Sequence, residues 1–131
     1  MQMILFKMNE QSYLISADTV EEIIDTIHIT KVPLAPSWVE GLINLRGTIL
    51  TVVNLAELIE LEKPADPRNI FIMKNGEEKK GLLIEEVVEV IDVQPADLQL
   101  KEDSEFDYYS GIVSFSDKVA NVIDVNHLIF E

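Results

Sequence analysis

The sequence predicts a mainly β protein made of two similar small lobes, and three observations carry that expectation. First, 13 Val and 16 Ile stand against only 6 Ala, a composition that suits pleated, half-buried surfaces better than helices. Second, the apolar stretches are short and end in turn-forming residues. Third, the chain nearly repeats itself, which points to two units of one architecture.

The elements follow in chain order. Ile4 to Met8 and Tyr13 to Ser16 flank Asn9-Glu10-Gln11-Ser12 and read as a hairpin. Ser37 to Glu40 starts a turn after Pro36. Gly41 to Leu45 and Thr48 to Leu55 are strands meeting at Arg46-Gly47, and Ala56 to Leu61 reads as one or two helical turns. Glu62 to Pro67 holds two prolines and no large apolar residue, so it is the best internal boundary. Asn69 to Lys74 runs into Asn75-Gly76, the strongest short hairpin signal in the chain. Leu82 to Val93 reads as one long strand. Ser110 to Phe115 meets Val119 to Val125 across Ser116-Asp117-Lys118, and Asp124 is placed to cap a short helical piece at the end.

The repeat is visible in two windows. Gly41 to Ile59 aligns without a gap on Gly111 to Ile129 at an offset of 70, with Gly41 on Gly111 and Asn54 on Asp124. Val20 to Asp25 aligns on Val87 to Asp92 at an offset of 67. The reading is one domain, 1–131, with two lobes of approximately 1–63 and 68–131, each a small curled or closed sheet that limits its exposed edges.

Composition bounds the function. With 24 Asp+Glu against 10 Lys+Arg the formal charge is −14, which offers no electrostatic route to phosphates and argues against nucleic acid or an anionic membrane surface as the partner. No window approaches the roughly 18 apolar residues of a membrane span, and the start lacks a secretory signal. Zero cysteines fit a reducing compartment, so the expectation is a soluble cytoplasmic protein. At this size folding buries roughly two thirds of the chain's surface, enough for a core without metal or disulfide.

Catalytic signatures are absent. The two histidines, His28 and His127, lie far apart, there is no HExxH, and the five glycines are too dispersed to cradle a phosphate. Adjacent acids such as Glu85-Glu86 point to opposite faces of a strand. No catalytic residue, no metal site and no cofactor is expected, and the protein reads as a non-enzyme. Arg46 stands out. It is one of two arginines and the only charge between Glu40 and Glu57, set beside Gly47, where its planar fork suits a carboxylate of a partner or of the chain itself. Trp38, after Pro36-Ser37, is expected to pack over the end of a lobe.

The stretch VPLAPSWVEGLINLRGTILTVVNLAELI, Val32 to Ile59, resembles the signature region of the CheW family of bacterial chemotaxis coupling proteins: a proline, a short helix, G-V-I-N-L-R-G, then P-V-V-D-L. Val20-Glu21-Glu22-Ile23 resembles the family's VxEI segment, Gly81 to Val87 its G-x-x-V-D-x-V, and Tyr109-Ser110-Gly111 with Ile123-Asp124-Val125 its closing strands. Thr51 stands where the pattern has Pro, and Asn54 and Glu85 where it has Asp. The resemblance implies two five-stranded β barrels packed together and a non-catalytic adaptor. Its implied partners are the regulatory domain of a CheA-type histidine kinase and the cytoplasmic tips of methyl-accepting chemotaxis receptors, with recruitment to membrane receptor arrays and no membrane insertion. It also implies a receptor-facing groove between the lobes that involves Val20, Glu22, Gly41, Leu45, Arg46, Gly47 and Gly81. There the glycines are expected to let a receptor helix approach closely while Arg46 fixes its orientation. The alternatives within the resemblance are a CheW-like scaffold of another motility or signalling system, or a fragment of a larger kinase or receiver-linked coupling protein.

Overall fold

The computed structural model describes residues 1–100, 108–115 and 117–130. Among the described residues eleven strands run in order: β1 (Gln2–Met8), β2 (Gln11–Ser16), β3 (Val20–Asp25), β4 (Val39–Leu45), β5 (Thr48–Asn54), β6 (Asn69–Asn75), β7 (Glu78–Ile84), β8 (Glu86–Asp92), β9 (Leu98–Leu100), β10 (Tyr109–Phe115) and β11 (Lys118–Ile123). Two one-turn helices, α1 (Leu55–Leu58) and α2 (Asn126–Ile129), follow β5 and β11. The strands form a six-stranded sheet, β8-β1-β2-β11-β10-β9, and a five-stranded sheet, β3-β6-β7-β5-β4.

The mainly β class is as expected, with local differences. The stretch read as one strand from Leu82 to Val93 breaks at Glu85: β7 ends in one sheet, β8 begins in the other, and the side chain of Glu85 accepts from the backbone N–H of Asn9. β3 and β9 were not foreseen as strands. The β6–β7 turn is Gly76-Glu77 and not Asn75-Gly76, because Asn75 still pairs with Glu78 while Gly76 takes φ 64°. Val125 occupies the residue before α2 and its side chain makes no cap, while Asp124, expected to cap this piece, accepts from the Asn126 N–H at 3.4 Å. The foreseen Ser116 turn residue lies outside the described residues.

The repeat holds at the level of individual pairs. Phe6 pairs with Tyr13 as Met73 pairs with Lys80, both shifted by 67. Val122 meets Leu14 in a parallel pair as Val52 meets Gly81. The β1–β8 and β6–β3 ladders even share a bulge at the equivalent place, and so do β10–β11 and β4–β5.

The sheets do not divide the chain at 63–68, however. The β1–β2 hairpin of the first repeat sits in the six-stranded sheet among strands of the second. The β6–β7 hairpin sits in the five-stranded sheet among strands of the first. Nor do the sheets close as barrels: β8 and β9 end one sheet and β3 and β4 the other, without pairing among the described residues.

Three clusters fill the interior. The central one lies between the sheets and includes Ile4, Phe6, Met8 and Tyr13 from one, with Val53, Phe71, Met73 and Leu82 from the other. Phe6 meets Phe71 edge to face at 5.2 Å. Each sheet also curls around a cluster of its own, Met3, Leu5 and Leu14 in one and Ile70, Ile72 and Val52 in the other. β1 and β6 are therefore buried on both faces, which is why they read as continuous apolar runs and not as alternating ones.

Candidate partner-binding face

Arg46 and Gly47 form the two-residue turn between β4 and β5, closed by the Leu45–Thr48 pair. Both take positive φ, 50° and 88°, as the tight hairpin turns that match strand twist require. The Asn44 side-chain oxygen accepts from the Gly47 N–H at 2.8 Å and fixes the turn. The arginine is thereby held at the tip of a hairpin with its side chain 67% exposed.

Its guanidinium forks onto Glu22, one nitrogen to each carboxylate oxygen. Glu22 lies on β3, just past the bulge that shifts its register against β6. Because β3 and β4 are the two edges of the five-stranded sheet, this pair spans the gap that backbone pairing leaves open. Hydrogen bonding to the accepting Glu22 carboxylate, then its charge, raises the Arg46 pKa above its ordinary value, so the arginine is a cation at every working pH. Two of its five N–H donors are used by Glu22, and the others face solvent.

All seven expected site residues lie in the five-stranded sheet or its turns, not in a groove between two separate lobes. Glu22, Arg46 and Gly47 are brought together at one end. Leu45 is half-buried against that sheet's own cluster, and Val20 against the central one. Gly41 and Gly81 are buried, and what approaches them belongs to the chain itself. A Cβ on Gly41 (φ 144°) would stand 2.1 Å from the Thr30 carbonyl oxygen, and one on Gly81 would press on Ile70 and Val52 at 3.0 and 3.1 Å. Their small size serves internal packing.

Beside the Arg46 turn runs an open cleft of about 420 Å³ lined by Ile27, His28, Thr30, Leu42, Ile43, Asn44 and Ile49. Ile27 and Ile49 are exposed. The signal for Ile49 was present in the sequence, since alternation in β5 sends it to the face opposite the buried Leu50. Trp38, expected to pack over a lobe end, is 43% exposed, and its carbonyl accepts from the Asn54 N–H at 2.6 Å. The face thus offers a fixed cation beside apolar side chains. No cluster of three or more metal-ligating side chains occurs among the described residues.

Comparison with known proteins gives the family. The CheW-like domain family matches residues 2–131. The chain is similar to a chemotaxis protein CheW of Thermotoga maritima, 29% identical over 99% of this chain and 88% of that one. It is also similar to a probable chemotaxis protein CheW of Rhizobium etli, 28% identical over 99% and 88%. Among solved structures, the scaffolding protein TtCheW of Thermoanaerobacter tengcongensis superposes with a TM-score of 0.86 at 27% identity, covering 99% of this chain and 88% of that one.

Proposed function

The chain belongs to the CheW-like domain family, and on that premise we propose that it is a non-catalytic adaptor of chemotaxis signalling that couples the cytoplasmic tips of chemoreceptors to a CheA-type histidine kinase. The observation that carries the reading is the Arg46 turn: a rigidly presented cation at a sheet corner, bordered by exposed Ile27 and Ile49. A helical receptor tip is a suitable occupant, because it can lay an apolar stripe on those isoleucines and offer a carboxylate or carbonyl to the free arginine donors. The kinase's regulatory domain is the second partner. No helix among the described residues is long and apolar enough to cross a membrane, so attachment to receptor arrays in the cytoplasm would run through these protein contacts.

The test is a titration of the protein against a receptor-tip helical hairpin and, separately, against the kinase's regulatory domain. Arg46→Ala is expected to weaken at least one by on the order of thirtyfold, Arg46→Glu more, and Arg46→Lys less, since an ammonium keeps the charge without the fork. The melting temperature should stay nearly unchanged, because an exposed ion pair contributes little to stability. Unchanged affinity for both partners would reject the role of Arg46, and no binding by the wild-type chain would reject the coupling function.

A further inference from the structure

The pairing scheme sets the two repeats apart from ordinary lobes. Within the first repeat, β1 pairs with β2 and β4 with β5, yet no ladder among the described residues joins these two hairpins, and β3 pairs with neither. Within the second, β6–β7 and β9–β10–β11 are likewise unjoined. Every connecting ladder runs between repeats: β1–β8, β2–β11, β3–β6 and β5–β7. The central core is also shared, with Phe6 and Tyr13 from one repeat against Phe71 and Leu82 from the other. A single repeat therefore has no sheet of its own, and needs the other repeat to complete both.

The covalent tie between the two is the segment from Ile59 to Arg68. Its ends are held firmly: Ile59 is in the central core with Leu61 packed against it, the Tyr108 hydroxyl donates to the Ile59 carbonyl, the Leu61 N–H donates to the Ala56 carbonyl, and the Arg68 N–H donates to the Glu85 carbonyl. Between them Asn9 donates to the Glu62 carbonyl, Lys63 sits 3.6 Å from Glu40, and Pro64 is buried. Pro64 and Pro67 favour extended backbone at the residues before them, so the segment is suited to running outward as well as folding back. Nothing in the ladders distinguishes a second repeat on the same chain from one on another chain.

We propose that this protein pairs with a second copy of itself by exchanging repeats across the Glu60–Pro67 linker, giving a two-fold dimer in which each folded unit joins the first repeat of one chain to the second repeat of the other. Exchange reuses native contacts, the low-cost route to a dimer. The covalent tie supplies an effective concentration on the order of millimolar for a short flexible linker, so the monomer prevails in dilute solution and the dimer gains where chains fold at high local concentration.

The absence of cysteine gives a direct test on the full chain. Gln2 and Asp92 are directly opposed on β1 and β8, both exposed, one from each repeat, and opposed residues of antiparallel strands lie within disulfide reach. Chains carrying Gln2→Cys and chains carrying Asp92→Cys are unfolded together, refolded and then oxidised. Exchange predicts a disulfide-linked heterodimer with native circular dichroism. Its share should rise from roughly 0.1% at micromolar chain to about a quarter at millimolar, since half of the exchanged dimers pair like chains, and it should be absent when the two chains are folded before mixing. The double variant, which closes within one chain, shows that the pair is competent. If it closes and the co-refolded mixture yields no more heterodimer than the premixed one, the proposal is overturned. Light scattering on wild-type chain refolded at about millimolar concentration is the second readout: a native-like dimer supports exchange, and monomer alone overturns it.

Discussion

Asn54 stands where the family pattern has an aspartate, and its surroundings explain why an amide works there. It is the one buried polar side chain among the described residues. Its oxygen accepts from the Glu57 N–H at 3.1 Å and caps α1, while its nitrogen donates to Glu40 at 2.9 Å. An aspartate caps equally well but has no donor for the glutamate. The equivalent positions of the second repeat are Asp124 and Ser110, so the acid has moved from one member of the pair to the other. Asn54→Asp should therefore cost about 1–3 kcal/mol at neutral pH through an unpaired, like-charged contact. The facing carboxylates raise the folded pKa above the unfolded one, so the loss should shrink as pH falls through the folded pKa. Urea unfolding of both proteins at pH 7 and pH 4.5 measures this; an equal gap at the two values would show that Glu40 turns away.

At the scale of elements, glycines that look alike in the sequence divide by what surrounds them. Gly41 and Gly111 occupy the shared bulge, and a Cβ on either would strike a backbone carbonyl oxygen, at 2.1 Å from Thr30 or 2.3 Å from Gln99. Gly47 has nothing within 4 Å and carries only its positive φ. Gly41→Ala and Gly111→Ala should each cost on the order of 3 kcal/mol or more, as a clash with backbone cannot be relieved by a rotamer change. Gly47→Ala should cost about 1 kcal/mol, the strain of a left-handed residue alone. Thermal melts of the three variants check this order. A mild Gly41→Ala would mean that the Thr30 segment yields without loss.

At the scale of the whole molecule, the shared core makes the two sheets one cooperative unit. Phe71→Ala should lower stability by about 3–5 kcal/mol and leave a single transition, with probes in either sheet melting together. A pH limit follows from the same core. Burial, followed by Tyr109 and then Tyr108, pushes the Tyr13 phenol up to about 12 from an ordinary value of about 10. The folded pKa lies above the unfolded one, so this contribution is fully present below about pH 10 and is lost as pH rises through about 12. Two units correspond to roughly 2–3 kcal/mol. Circular dichroism between pH 9 and 12.5 should show alkaline unfolding of the wild type, shifted upward in Tyr13→Phe. Coincident curves would assign the transition to other groups.

The sequence alone determined the β class, the repeat and most strand positions, because Val/Ile stretches, turn residues and fixed offsets are local properties of the chain. It also singled out Arg46, a lone cation in a long uncharged stretch. Which hairpin joins which sheet was decided only in three dimensions. Apolar runs such as Ile70 to Met73 carry no label for the sheet they enter, so the natural boundary at Pro64 and Pro67 suggested lobes contiguous in sequence, whereas burying β1 and β6 on both faces places each hairpin among strands of the other repeat. The partner of Arg46 was settled the same way. Any of 24 acids was available by charge, and only the curl of the five-stranded sheet brings Glu22 on one edge to the turn at the other.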